Sequence, residues 1–109
     1  MNWIHLDKMD ALDSISIASL QRPQVIFKHS TRCSISIMVK SRLEKTQAPE
    51  NIDFHYLDLL NYRDISNQIA DRFHVHHESP QILVIKNGDC IYAESQGAIY
   101  MEDIIEQAN

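Results

Sequence analysis

The chain is poor in residues that break, cross-link or anchor a fold: of 109 residues, two are cysteine, two glycine and three proline. Two thiols, Cys33 and Cys90, are too few for the disulfide framework of a small secreted domain. Neither belongs to a CxxC or to the Cys/His spacing of a structural zinc site. Repeats, low-complexity stretches and Gly/Ser linkers are all missing, so a single domain over residues 1–109 is expected. No run of about 20 apolar residues could cross a bilayer. Met1–Lys8 lacks the basic leader and apolar stretch of a signal peptide. The expected setting is the reducing cytoplasm, without membrane attachment. Positive charge is also scarce, with 15 acidic residues against 10 basic ones and a net charge of −5. Nucleic acid is therefore not an expected partner, because phosphate binding needs clustered cations. What is present, 44% hydrophobic and 23% charged residues, is the composition of an ordinary globular domain.

The few breakers fall between periodic segments. Asp7 is placed as a helix N-cap, and Met9, Leu12 and Ile15 recur at helical spacing toward Leu20, so a first helix is expected to end before Pro23. Val25-Ile26-Phe27 reads as a short buried strand, closed by the polar His29-Ser30-Thr31. Ile35, Met38, Val39 and Leu43 then share one helical face, with Ser36, Lys40 and Glu44 away from it. Ile52, Phe54 and Tyr56 alternate with polar residues as a second strand. Asn61 and Asp64 resemble a cap before a stripe of Ile65, Ile69, Ala70 and Phe73. Gln81–Lys86 and Asp89–Glu94 flank Asn87-Gly88, a strong hairpin signal. Met101, Ile104, Ile105 and Ala108 close the chain as an amphipathic helix. A βαβ unit, a β-hairpin and a C-terminal helix form the thioredoxin arrangement. The fold class expected is α/β, thioredoxin-like, with a four-stranded mixed sheet and an extra N-terminal helix.

Cys33 stands where a strand gives way to a helix. There, unpaired backbone N–H groups and the positive end of the helix dipole favour a thiolate, and Arg32 and Lys28 are expected to add positive charge. Three residues later comes Ser36, so the motif is CSIS and the usual resolving thiol is replaced by a hydroxyl. Such a site takes up a mixed disulfide without expelling it internally. Ser79-Pro80, just before the third expected strand, matches the place of the cis-proline that faces the nucleophile in thioredoxin folds. Cys90, alternating with Ile91 on the return strand, reads as a half-buried cysteine without chemistry. His74, His76, His77 and Glu78 invite a metal reading, but neighbouring histidines in an extended loop point apart and no i, i+4 pair lies on a helix, so no metal is expected. Arg63, Ser66 and Asn67 on the third helix are explained by a polar face and capping as simply as by a ligand.

The segment Phe27-Lys28-His29-Ser30-Thr31-Arg32-Cys33-Ser34-Ile35-Ser36 resembles the FKHST-x-CPIS site of the YtxJ-like family, the monothiol bacilliredoxins of the bacillithiol system. The likeness continues through Tyr62–Ala70 and His77–Gln81 and, more loosely, Ser95–Ile99. It implies removal of bacillithiol from protein mixed disulfides, with Cys33 attacking. Lys28, His29, Thr31, Arg32, Ser34, Ser36, Ser79 and Pro80 would form the thiol environment. Bacillithiol would be the thiol co-substrate, bacillithiolated proteins the partners, and no tightly bound cofactor is implied. Two departures stand out: Ser34 replaces the family's usual proline, and Gln96 the usual histidine of the late SHxxI element. Two other readings of the chain are a monothiol carrier holding an iron–sulfur cluster between subunits and a non-catalytic thioredoxin-fold binding module.

Overall fold

A computed structural model describes all residues, 1–109. Five strands form one sheet: β1 (Trp3–His5), β2 (Gln24–His29), β3 (Asp53–Asp58), β4 (Gln81–Lys86) and β5 (Asp89–Ser95), in the order β1-β3-β2-β4-β5. The first three are parallel, and β4 and β5 run antiparallel to their neighbours. Alternation of the side chains sends Val25, Phe27, Phe54, Ile82 and Val84 to one face, under helices α2 (Ser34–Glu44) and α4 (Met101–Ala108). Ile26, Leu57, Leu83 and Ile85 go to the other face, under α1 (Ala11–Ala18) and α3 (Arg63–Phe73). The central strand β2 is buried along its whole length, which explains why it reads as a continuous apolar run rather than an alternation.

The sheet has five strands, not four. β1 escapes sequence reading because it is three residues long and two of them, Ile4 and His5, are exposed. It exists because its backbone pairs with the edge of β3, and because Trp3 stacks on Phe27 at 5.5 Å and meets Phe54 and Tyr56 edge-on. With β1 in place, α1 is no N-terminal addition but the crossover between β1 and β2. That helix is also shorter than its pattern: Asp10, not Asp7, precedes it, and Met9 and Leu20 are exposed. Its buried residues are Leu12 and Ile15. Beyond its end, Ser19 is buried and its Oγ and carbonyl receive the N–H groups of Gly88 and Asn87 in the β4–β5 turn.

The buried stripe of α2 is rotated from the expected one. Ser36, Val39 and Leu43 face the sheet, while Ile35, Ile37 and Met38 are 41%, 51% and 49% exposed. Two hydrogen bonds made by Ser36 to the end of β2 and the turn after it draw this polar residue inward, and the flanking apolar residues go to solvent. Asn61 is likewise not the cap of α3. Its side-chain amide donates to Asp58 Oδ2, and Tyr62 holds the cap position. At Asn87 and Gly88, φ is 54° and 83°, the left-handed pair that a two-residue hairpin turn requires.

Candidate active site

The chain leaves β2 at His29, turns through Ser30–Arg32 and enters α2 with Cys33 at the N-cap. Cys33 has extended backbone angles (φ −106°, ψ 119°), its N–H donates to Ser30 O, and its carbonyl accepts from Ile37 N–H. The thiol is half-buried, with Thr31, Arg32 and Ser34 exposed around it. The first amides of α2 have no carbonyl partner within their own helix, so the dipole and these donors both face the cysteine end.

Ser36, one turn into the helix, occupies the place of a resolving cysteine and is fully buried. Its Oγ accepts from Ser30 N–H at 3.0 Å and lies 2.7 Å from His29 Nδ1. The hydroxyl has both a proton and a second lone pair to offer, so the direction of the bond to Nδ1 follows the tautomer of the ring. Burial, followed by the charge of Lys40, lowers the His29 pKa, which agrees with a neutral ring. The ring lies against Phe27 and Tyr56 on the α2 face of the sheet.

Lys28 alternates to the opposite face. It is fully buried, and its Nζ donates to Ser66 O at 3.1 Å and lies 3.3 Å from His77 Nδ1. The ammonium is therefore engaged with α3 and the following loop, and Arg32 is the exposed cation next to Cys33 in sequence. Desolvation lowers the Lys28 pKa from 10.5 to about 8, and burial followed by the Lys28 charge lowers that of His77. Between pH 8 and 10.5 the unfolded chain holds a proton that the folded chain has released, so unfolding takes up a proton and stability rises with pH. Below about pH 8 both states are protonated and the burial cost is fully present. Relative to Lys28→Met, the wild type should gain stability across this window in urea unfolding. Parallel pH profiles for the two proteins would contradict this account.

The Ser79-Pro80 peptide bond is cis, as its place before β4 led us to expect. Lys28 pairs with Gln81 across the β2–β4 ladder, which carries Pro80 to the end of β2 from which the chain proceeds to Cys33. Gln96 is joined to this segment through two bonds: its N–H donates to Pro80 O at 3.0 Å and its side-chain Nε2 to Ser79 O at 2.8 Å. The sequence marks Gln96 only as a departure from a family motif. Nothing local indicates that residues 79 and 96 meet, since the contact follows from the pairing of Gln81 with Ser95. Nor does the sequence reveal that Ser66 and His77, set apart on a helix and a loop, converge on Lys28.

Cys90 lies far from these residues. It pairs with Ile85, and Ile85 pairs with Gln24, the first residue of β2, so Cys90 is on the outer strand at the opposite end of the sheet. Burial raises its pKa, and its Sγ donates to Tyr92 O at 3.3 Å.

A protein-family model described as monothiol bacilliredoxin BrxC matches residues 4–104. The chain belongs to the monothiol bacilliredoxin family. Among solved structures, a protein described as an oxidoreductase with a thioredoxin fold is similar at 26% identity and a TM-score of 0.85. That match covers 97% of this chain and 93% of the other. Thioredoxins from Malassezia sympodialis (19% identity, TM-score 0.77, covering 99% and 92%) and Schistosoma mansoni (22%, 0.67, covering 100% of each chain) share the fold. Family and fold together assign this bacilliredoxin family member a thiol redox function.

Proposed function

We propose that this chain removes bacillithiol from protein mixed disulfides by a monothiol mechanism, with Cys33 as the sole nucleophile. The observation that carries the reading is the pairing of a half-exposed thiol at the start of α2 with a buried, doubly hydrogen-bonded hydroxyl at the resolving position. The Cys33 thiolate attacks the bacillithiol sulfur, a new S–S bond forms, and the bond to the target protein breaks. The target leaves as a thiolate and takes a proton from solvent. Bacillithiol stays on Cys33 until a second thiol attacks that bond and restores the free cysteine. Ser36 offers no thiol to intercept the adduct, and its hydroxyl is held between Ser30 and His29. Arg32 is exposed next to the cysteine, where a guanidinium suits the carboxylates of bacillithiol's malate moiety. Ser79 and Pro80, just ahead of the start of β4, would supply the backbone along which an incoming substrate lies.

The test incubates the reduced protein with a bacillithiolated target and follows both partners by intact mass. The target should lose one bacillithiol as this chain gains one, mapped to Cys33. Retention of the modification on the target, together with ready reduction of other disulfides, would keep the redox function and overturn the assignment to bacillithiol.

A further inference from the structure

The Ser79 backbone carries an unused half of a strand pair. In an antiparallel ladder, a hydrogen-bonded residue pair exchanges two bonds, one through each N–H and one through each carbonyl. Ser79 lies just outside the paired part of β4, which begins at Gln81. Its N–H makes no hydrogen bond within the chain. Its carbonyl accepts only from Gln96 Nε2, and Gln96 is exposed. The Gln96 backbone is fixed independently, through its N–H bond to Pro80 O and its left-handed φ of 57°. The side-chain amide is therefore a detachable cap on an acceptor, at the end of the sheet where Cys33 lies.

We propose that Gln96 is a specificity-determining residue, whose side-chain amide competes for the Ser79 carbonyl with a disulfide substrate that has flanking peptide backbone. An extended substrate segment alongside Ser79 would accept from the free N–H with its own carbonyl and donate its N–H to Ser79 O, displacing Gln96 Nε2. A disulfide without backbone amides makes neither bond and does not meet the cap. Gln96 thus lowers the preference for peptide-borne disulfides over small ones. This inference rests on the proposed role of Cys33 as nucleophile, but it needs no bacillithiol.

Two substitutions separate the cap from the backbone that bears it. Asparagine tolerates the left-handed conformation but is too short to reach Ser79 O. Glutamate keeps the length but has no donor when ionised. The probes are an extended peptide whose cysteine is in a mixed disulfide, and bis(2-hydroxyethyl) disulfide, which has no amide. In Gln96→Asn and Gln96→Glu, the ratio of kcat/KM for the peptide over the hydroxyethyl compound should rise about three- to tenfold through a lower peptide KM, the scale of one exposed hydrogen bond. In wild-type protein carrying the peptide trapped on Cys33, the Gln96 side-chain amide resonances should move toward solvent-exposed values. An unchanged or lower ratio in both variants, or a Gln96 amide that does not respond to the trapped peptide, overturns the proposal. Exchange with the peptide but none with a bacillithiolated protein would overturn the proposed function and leave this inference standing.

Discussion

Cys33→Ala should lose all thiol–disulfide exchange above the uncatalysed background, whereas Cys90→Ala should retain the wild-type rate within about twofold, as expected for a substitution outside the site. Alanine at 33 keeps the start of α2 but removes the one group able to form the mixed disulfide, and no neighbouring side chain replaces it. Cys90 is no substitute. From the β2–β4–β5 register it lies about five residues back along the strands, roughly 16 Å at 3.3 Å per residue, before the two-strand offset is added. A disulfide needs Cα atoms within about 7 Å. Burial also raises the Cys90 pKa, leaving little thiolate at neutral pH. The measurement is exchange with a bacillithiolated or peptide disulfide, with the adduct mapped by mass spectrometry. Activity in Cys33→Ala, an adduct on Cys90, or an abundant intrachain Cys33–Cys90 linkage would refute the site.

Ser36→Cys should convert the monothiol site into a dithiol one. Cys33 is the N-cap of α2 and position 36 is in the first turn, a spacing at which side chains are neighbours, about 5–6 Å apart at Cβ. A thiol there can attack the mixed disulfide on Cys33, release the captured thiol and close an intrachain disulfide between Cys33 and the introduced sulfur. The adduct expected on the wild type should be missing from the mass spectrum, replaced by a protein two hydrogens lighter. The variant should also lose stability, by about 1–3 kcal/mol, because sulfur is a poor acceptor for the Ser30 N–H and the His29 bond is weakened. Ser36→Ala separates the two effects: it should share the loss of stability and stay monothiol. A long-lived adduct on Cys33 of the Ser36→Cys variant, with no intrachain disulfide, would show that the first turn does not bring the two positions together.

Elements set by short-range chemistry were legible in the sequence. Asn87-Gly88 specifies its own left-handed turn, the stripe Met101-Ile104-Ala108 specifies the buried face of α4, and the strand-to-helix change after His29 specifies where Cys33 stands. Elements set by a partner were not. β1 has too few residues to show a period and is a strand only because β3 offers it an edge. Of the apolar face expected for α2, Val39 and Leu43 are buried but Ile35 and Met38 are not, since hydrophobic periodicity does not register that Ser36 finds two polar partners beneath the helix. Lys28 looked like a cation for the thiolate because it is close in sequence. The pleat of β2 sends it to the other side of the sheet.

The sequence by itself determined the order of most elements, the place of Cys33 at a strand-to-helix junction, the absence of a thiol three residues after it, and the family. Each of these is carried by adjacent residues or by motifs read along the chain. Tertiary structure alone decided the fifth strand, the inward turn of Ser36 onto His29, the burial of Lys28 against Ser66 and His77, and the meeting of Gln96 with Ser79. These depend on strand register and on the hydrogen-bond needs of buried polar groups. Both are settled between segments distant in sequence, and a single segment carries no record of its partner.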